Sequence, residues 1–202
     1  MAFLGTMSLG QGQAQKTHFG LMARFAAAFV ASSFIVFAIL GAIGRPARLA
    51  LPSTAQVVIL FAVLSVAVLL DAYSLRRKTW CPITARRQTP KMIYYNFSPQ
   101  RAALAWGADT GLVFTTYRVS SISWALLLLD LLGIAPWWVG LGYSAGFLVP
   151  MVFGCSLGSR WFGGDTTGLA RALTQRGTMA RATCVLALLL AMTAVVLLPV
   201  TR

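Results

Sequence analysis

Long apolar runs separated by short basic stretches dominate the chain. Residues 25–44 (FAAAFVASSFIVFAILGAIG) hold no charge and lie between Arg24 and Arg45. A helix of that length reaches about 30 Å, the thickness of a bilayer's hydrocarbon core. The run exceeds the apolar segment of a secretory signal, so it reads as an uncleaved first span. Residues 49–70 form a second uncharged run ending at Asp71, joined to the first by Arg45-Pro46-Ala47-Arg48. Pro52 falls where a helix start tolerates proline. Residues 136–155 and 182–200 are the later spans, the first opening on Trp137 and Trp138.

Residues 102–133 break the pattern. One continuous helix of this length would extend about 48 Å, and two helices would each be too short to cross. The segment also carries Asp109, Arg118 and Asp130. At about 100° per residue an unbroken helix would turn Asp109 and Arg118 to opposite faces. A break near Gly111 or Arg118 removes the conflict. A half-inserted or interfacial piece over 102–117 followed by a span over 119–133 is therefore expected. The fold class is an all-α integral membrane protein of about five transmembrane helices, with a broken, re-entrant or interfacial helix before the third. It forms a single membrane domain over residues 1–202, with residues 1–18 as a flexible tail.

Composition strengthens this reading: 58% of residues are hydrophobic and only 10% charged. Soluble domains carry about 25% charged residues. The net charge of +13 raises the question of nucleic acid, but the cations cluster between apolar runs, as cytoplasmic loops do. One side takes Lys16, Arg24, the loop over 71–101 (Arg76, Arg77, Lys78, Arg86, Arg87, Lys91, Arg101) and the loop over 156–181 (Arg160, Arg171, Arg176, Arg181). The other side takes Arg45, Arg48 and Arg202. This bias predicts a bacterial inner-membrane protein with a cytoplasmic N-terminus and an extracytoplasmic C-terminus. Arg76, Arg77, Lys78, Arg86, Arg87 and Lys91 are candidate contacts for anionic lipid headgroups or for a membrane-protein partner. No nucleic-acid partner is expected.

Candidate chemistry is sparse. The acids are four Asp with no Glu, and His18 is the single histidine. No metal, cofactor or enzymatic activity is expected from such a set. Charges at membrane depth are expensive and usually line a polar pathway or pair. Asp109, Arg118 and Asp130, with Trp106, Thr115 and Tyr117 around them, are thus candidates for a substrate or ion pathway. The bland alternative has Arg118 and Asp130 snorkelling to opposite interfaces and Asp109 capping a short helix.

Gly142-Tyr143-Ser144-Ala145-Gly146 spells the nucleophile pattern G-x-S-x-G. That pattern needs a strand–turn–helix elbow and a histidine, so small-residue helix packing at 140/144 and 142/146 accounts for it better. Cys81 lies among cations that favour thiolate, and Cys155 and Cys184 would end near the same face. A thiol relay is the third functional reading, after a small-solute permease and an accessory subunit of a membrane complex.

Residues 97–154 resemble half of the membrane domain of thiol–electron transporters of the cytochrome c biogenesis and DsbD type, related in fold to LysE-type exporters. The resemblance rests on Ala105-Trp106-Gly107 to Gly111, the leucine-rich run after it, and Gly142 to Pro150. Where that family carries a redox cysteine beside proline, this chain has Thr115-Thr116-Tyr117-Arg118. The resemblance implies a helical scaffold around a midplane cavity, without the family's thiol chemistry.

Overall fold

The computed structural model describes residues 14–77, 83, 96–115 and 120–161, together with 182, 185, 186 and 189. All regular structure among them is helical. In chain order the helices are α1 (Ala14–Ala50), α2 (Ser53–Arg77), α3 (Pro99–Gly111), α4 (Ile122–Leu131) and α5 (Val139–Trp161).

Two helices are long and apolar enough to cross a membrane: Gly20–Ala50 within α1, and α2. Both reach a mean hydropathy of 2.4, yet only 22% and 11% of their most apolar windows are buried inside the protein. A core helix of a soluble protein would be covered on most sides. Here Ile39, Ile43, Val58 and Leu69 are each more than half exposed.

The connection between α1 and α2 departs from the turn expected at residues 45–48. Helix α1 runs through Pro46, and the chain turns at Leu51 and Pro52. A residue preceding proline disfavours helical geometry, and here it is Leu51 that ends the helix. The amide of Leu51 still reaches Ala47 O at 3.1 Å. Beyond it, the Gln56 side-chain amide donates to Leu51 O (2.9 Å) and Arg48 O (3.2 Å). Gln56 thereby takes up carbonyls that a helix end leaves without partners.

Helix α1 is the axis of the bundle. Its buried side chains Leu21, Phe25, Phe29, Ser33 and Phe37 recur every fourth residue and make one stripe. Helix α5 descends along this stripe antiparallel to α1. Gly140 lies on Phe37, Ser144 meets Ser33, and the Phe147 ring stacks on Phe29 with centroids 4.6 Å apart. Leu148 and Met151 then pack with Phe25 and Leu21.

Helix α3 runs parallel to α1. Ala103 joins the Leu21–Phe25 cluster, Gly107 lies on Phe25 and Ala28, and Gly111 lies on Phe29 and Ser32. A methyl group at either glycine would strike the backbone of α1, so close approach of the two helices requires them. Helix α4 packs against α2 through Ala125 and Leu129 on Leu64 and Ala67, and its far end abuts Gly41 and Gly44 of α1.

The segment 119–133 departs from a full span: its helix is the ten-residue α4, about 15 Å long. The span expected at 136–155 corresponds to α5, which starts at Val139. Of the tail expected over residues 1–18, residues 14–18 belong to helix α1; residues 1–13 and the last span at 182–200 fall outside the described residues, apart from the four isolated positions named above.

Candidate functional site

Between α3 and α4 the helical path breaks inside the bundle and then continues along α1 in the same direction. Helix α3 ends at Gly111, and Val113 adopts φ 54°. This left-handed conformation is strained for a β-branched residue, and such strain concentrates at functional sites. The Val113 side chain is held where it is by burial. It is 1% exposed and packs with Phe37, Leu127 and Val139. The amide of Phe114 bonds back to Leu112 O, and the Thr115 hydroxyl donates to Asp109 O. These bonds tie the break to the last turn of α3. Asp109 is half-buried in that turn, and Trp106 is half-buried against the Leu21–Phe29 cluster. Tyr117 and Arg118 lie outside the described residues.

At the far side of the break, α4 begins on a carboxylate borrowed from α2. Asp71 is 3% exposed. Its Oδ2 accepts the Ser120 hydroxyl and its Oδ1 accepts the Ser121 N–H at 2.7 Å. Ser121 donates its hydroxyl to Ala67 O (2.8 Å), and the Ile122 N–H donates to Ser120 Oγ (3.2 Å). The first amides of a helix lack intrahelical partners and form its positive end. A buried carboxylate is placed there with every reason to stay. Sequence reasoning did not single out Asp71. The signal was the pair Ser120-Ser121 ahead of a leucine-rich run, which reads as a helix start.

Asp130 occupies the opposite end of α4. It is also 3% exposed, its Oδ1 faces Gly41, and its Oδ2 has no hydrogen-bond partner. Its neighbours are backbone. A side chain at Gly44 would meet Asp130 O and Leu131 O, and Gly133, at φ 67°, lies against Gly44 O. Asp130 does not join Asp109. The C-terminal end of α3 contacts α1 at Phe29 and Ser32, and Asp130 contacts it at Gly41, about 15 Å further along the axis at 1.5 Å per residue. The described candidate charges, Asp109 and Asp130, therefore lie in two separate places.

The G-x-S-x-G serine lies within a helix. Ser144 is buried and donates to Gly140 O (2.7 Å), and its oxygen is 2.7 Å from that of Ser33. The small-residue pairing at 140/144 is a true contact with α1. The one at 142/146 is not: Gly146 has nothing within 4 Å, and Gly142 meets only Trp138. The pair that brings α3 onto α1, Gly107 and Gly111, has the same spacing and was not recognised as a packing pair.

Among the basic candidates, Arg76 and Arg77 end α2 and are exposed, and the Arg77 guanidinium lies 5.8 Å from the centroid of the Tyr73 ring. Lys78, Arg86, Arg87 and Lys91 lie outside the described residues, as do Cys81, Cys184 and the side chain of Cys155. Among the described residues no three His, Cys, Asp or Glu side chains could hold a metal ion together. Between α2 and α4 there is an open groove of about 250 Å³ lined by Val66, Leu70, Ile83, Trp124 and Leu128 among others.

No protein-family model matches this chain, and neither a curated protein nor a solved structure matches it.

Proposed function

We propose that the chain is a multi-pass protein of the bacterial inner membrane with a permease-like site for a small solute at the break between α3 and α4. Three features support its place in lipid. The first is the uncovered apolar surface of α1 and α2. The second is the layering of charge: Arg24 with Arg76 and Arg77 at one end of the helix pair, Arg45 and Arg48 at the other. The third is the exposure of Trp137 and Trp138 just ahead of α5. The basic end is cytoplasmic by the positive-inside bias, which puts the N-terminus inside.

The observation that carries the solute reading is the break between α3 and α4. Helices α3 and α4, with 13 and 10 residues, extend only about 20 and 15 Å. Their facing ends lie within an apolar bundle. Non-helical backbone at membrane depth is stable where it is buried in protein or lines a cavity. Transporters use such interrupted helices to aim helix ends at a substrate. Asp109 and Arg118 lie on either side of the break in sequence and are the residues proposed to bind solute. The resemblance of 97–154 to thiol–electron transporters, which are related in fold to LysE-type amino-acid exporters, implies a midplane cavity, and amino acids are the first solutes to test.

In proteoliposomes, uptake of a panel of radiolabelled amino acids should exceed that of empty vesicles. Asp109→Ala and Arg118→Ala should each abolish it. Unchanged flux in both variants overturns the reading.

A second reading is favoured by one observation, the scant burial of α2. An accessory subunit would cover that face with a partner helix, and pull-down from mild detergent should then return a stoichiometric membrane protein. A thiol relay rests on cysteines whose side chains the structure does not describe.

A further inference from the structure

We infer that the α2–α4 groove is a binding site for one anionic phospholipid of the cytoplasmic leaflet. The inference rests on the membrane placement proposed above. Val63, Val66 and Leu70 line the groove from the α2 side. The same helix face continues through Tyr73 to Arg77, since seven residues return a helix to nearly the same direction. The apolar groove thus runs out, about 10 Å beyond Leu70, onto a guanidinium. That guanidinium is steadied over the Tyr73 ring, with Arg76 exposed beside it. A fixed cation at the end of an acyl-wide apolar groove is complementary to a lipid with a negative headgroup.

The carboxylate closest in sequence does not neutralise these cations. Asp71 is buried, and both of its oxygens are taken up by Ser120 and Ser121. The groove is lined from a third side by Ile83, which belongs to the basic segment following α2. A transmembrane helix of a partner protein would fit the apolar part of this surface but would not need the cations at its end.

The test uses the full chain in mild detergent, incubated with an equimolar mixture of phosphatidylglycerol and phosphatidylcholine and read by native mass spectrometry. One phosphatidylglycerol per chain should be retained in preference to phosphatidylcholine. Arg77→Gln should lower that retention about five-fold, the usual worth of one cation at an anionic surface. Arg45→Gln, at the opposite end of the bundle, should leave it unchanged. Val66→Trp should remove retention by filling the groove. If that variant does not fold, the exposed Arg77 position decides alone.

Equal retention of the two lipids, no response to Arg77→Gln, or a second polypeptide bound in the lipid's stead overturns the site. Those results leave the membrane placement standing. Recovery of the folded chain from the aqueous fraction without detergent would instead remove the placement itself.

Discussion

The two ends of α4 carry the same side chain in opposite circumstances. Asp71 at the N-terminal end and Asp130 at the C-terminal end are equally buried. Asp71 faces the positive end of the helix and accepts a hydroxyl and an amide. Asp130 sits at the negative end, with one oxygen unbonded and only backbone and glycine around it. The macrodipole and the capping bonds favour the first charge and oppose the second. Burial alone therefore does not mark a functional carboxylate: Asp71 is a fastening between helices with both oxygens bonded, whereas Asp130 meets the Gly41 backbone with one oxygen and leaves the other without a partner.

The largest effect should come from Asp71. Asp71→Ala strands the Ser120 hydroxyl and the Ser121 amide in an apolar setting and should destabilise the fold by about 3 kcal/mol. Equilibrium unfolding in mixed micelles measures it. Asp71→Asn keeps one acceptor and should lose about half as much.

Next is the closeness of α3 and α1. Gly111→Leu drives a side chain into the backbone of α1 and should lose about 2 kcal/mol. Gly146→Leu meets nothing within 4 Å and should stay within about 0.5 kcal/mol of the parent. Equal losses at both positions would contradict the packing.

Asp130→Asn should move stability in the direction opposite to Asp71→Asn. Removal of an incompletely bonded buried charge should raise stability by about 1 kcal/mol in the same unfolding assay. A loss of the size seen at Asp71 would erase the contrast between the helix ends. The smallest effect concerns Ser33 and Ser144. A double-mutant cycle to alanine should give a coupling of about 0.6 kcal/mol, typical of interhelical hydrogen bonds in bilayers.

The two long helices were legible in the sequence, because an uncharged run of twenty residues admits few other structures. Their junction was not. Pro46 and Pro52 each look like a stop, and the choice was made by Gln56, whose amide reaches back to the end of α1. Within residues 102–133 the described helices are two, α3 and α4, and the geometry between them was not readable. The Val113 turn depends on a pocket built by Phe37, Leu127 and Val139 from three other parts of the chain. Asp71 was overlooked for a similar reason: at the end of an apolar run it looks like a boundary charge, and its partners are 49 and 50 residues away. Asp109, Arg118 and Asp130 looked like one cluster because they are neighbours in sequence. The distance between the contacts of α3 and of Asp130 on α1 separates Asp130 from the break.

Thiol accessibility tests the central claim most directly, that the break between α3 and α4 lies inside a membrane-embedded bundle with its basic end in the cytoplasm. In a background with Cys81, Cys155 and Cys184 replaced by serine, single cysteines are introduced as Arg76→Cys, Arg48→Cys and Val113→Cys. A membrane-impermeant maleimide should label position 48 from outside intact spheroplasts, position 76 only in inverted vesicles, and position 113 from neither side. Labelling of position 76 from outside, or of position 113 in both preparations, would contradict the account.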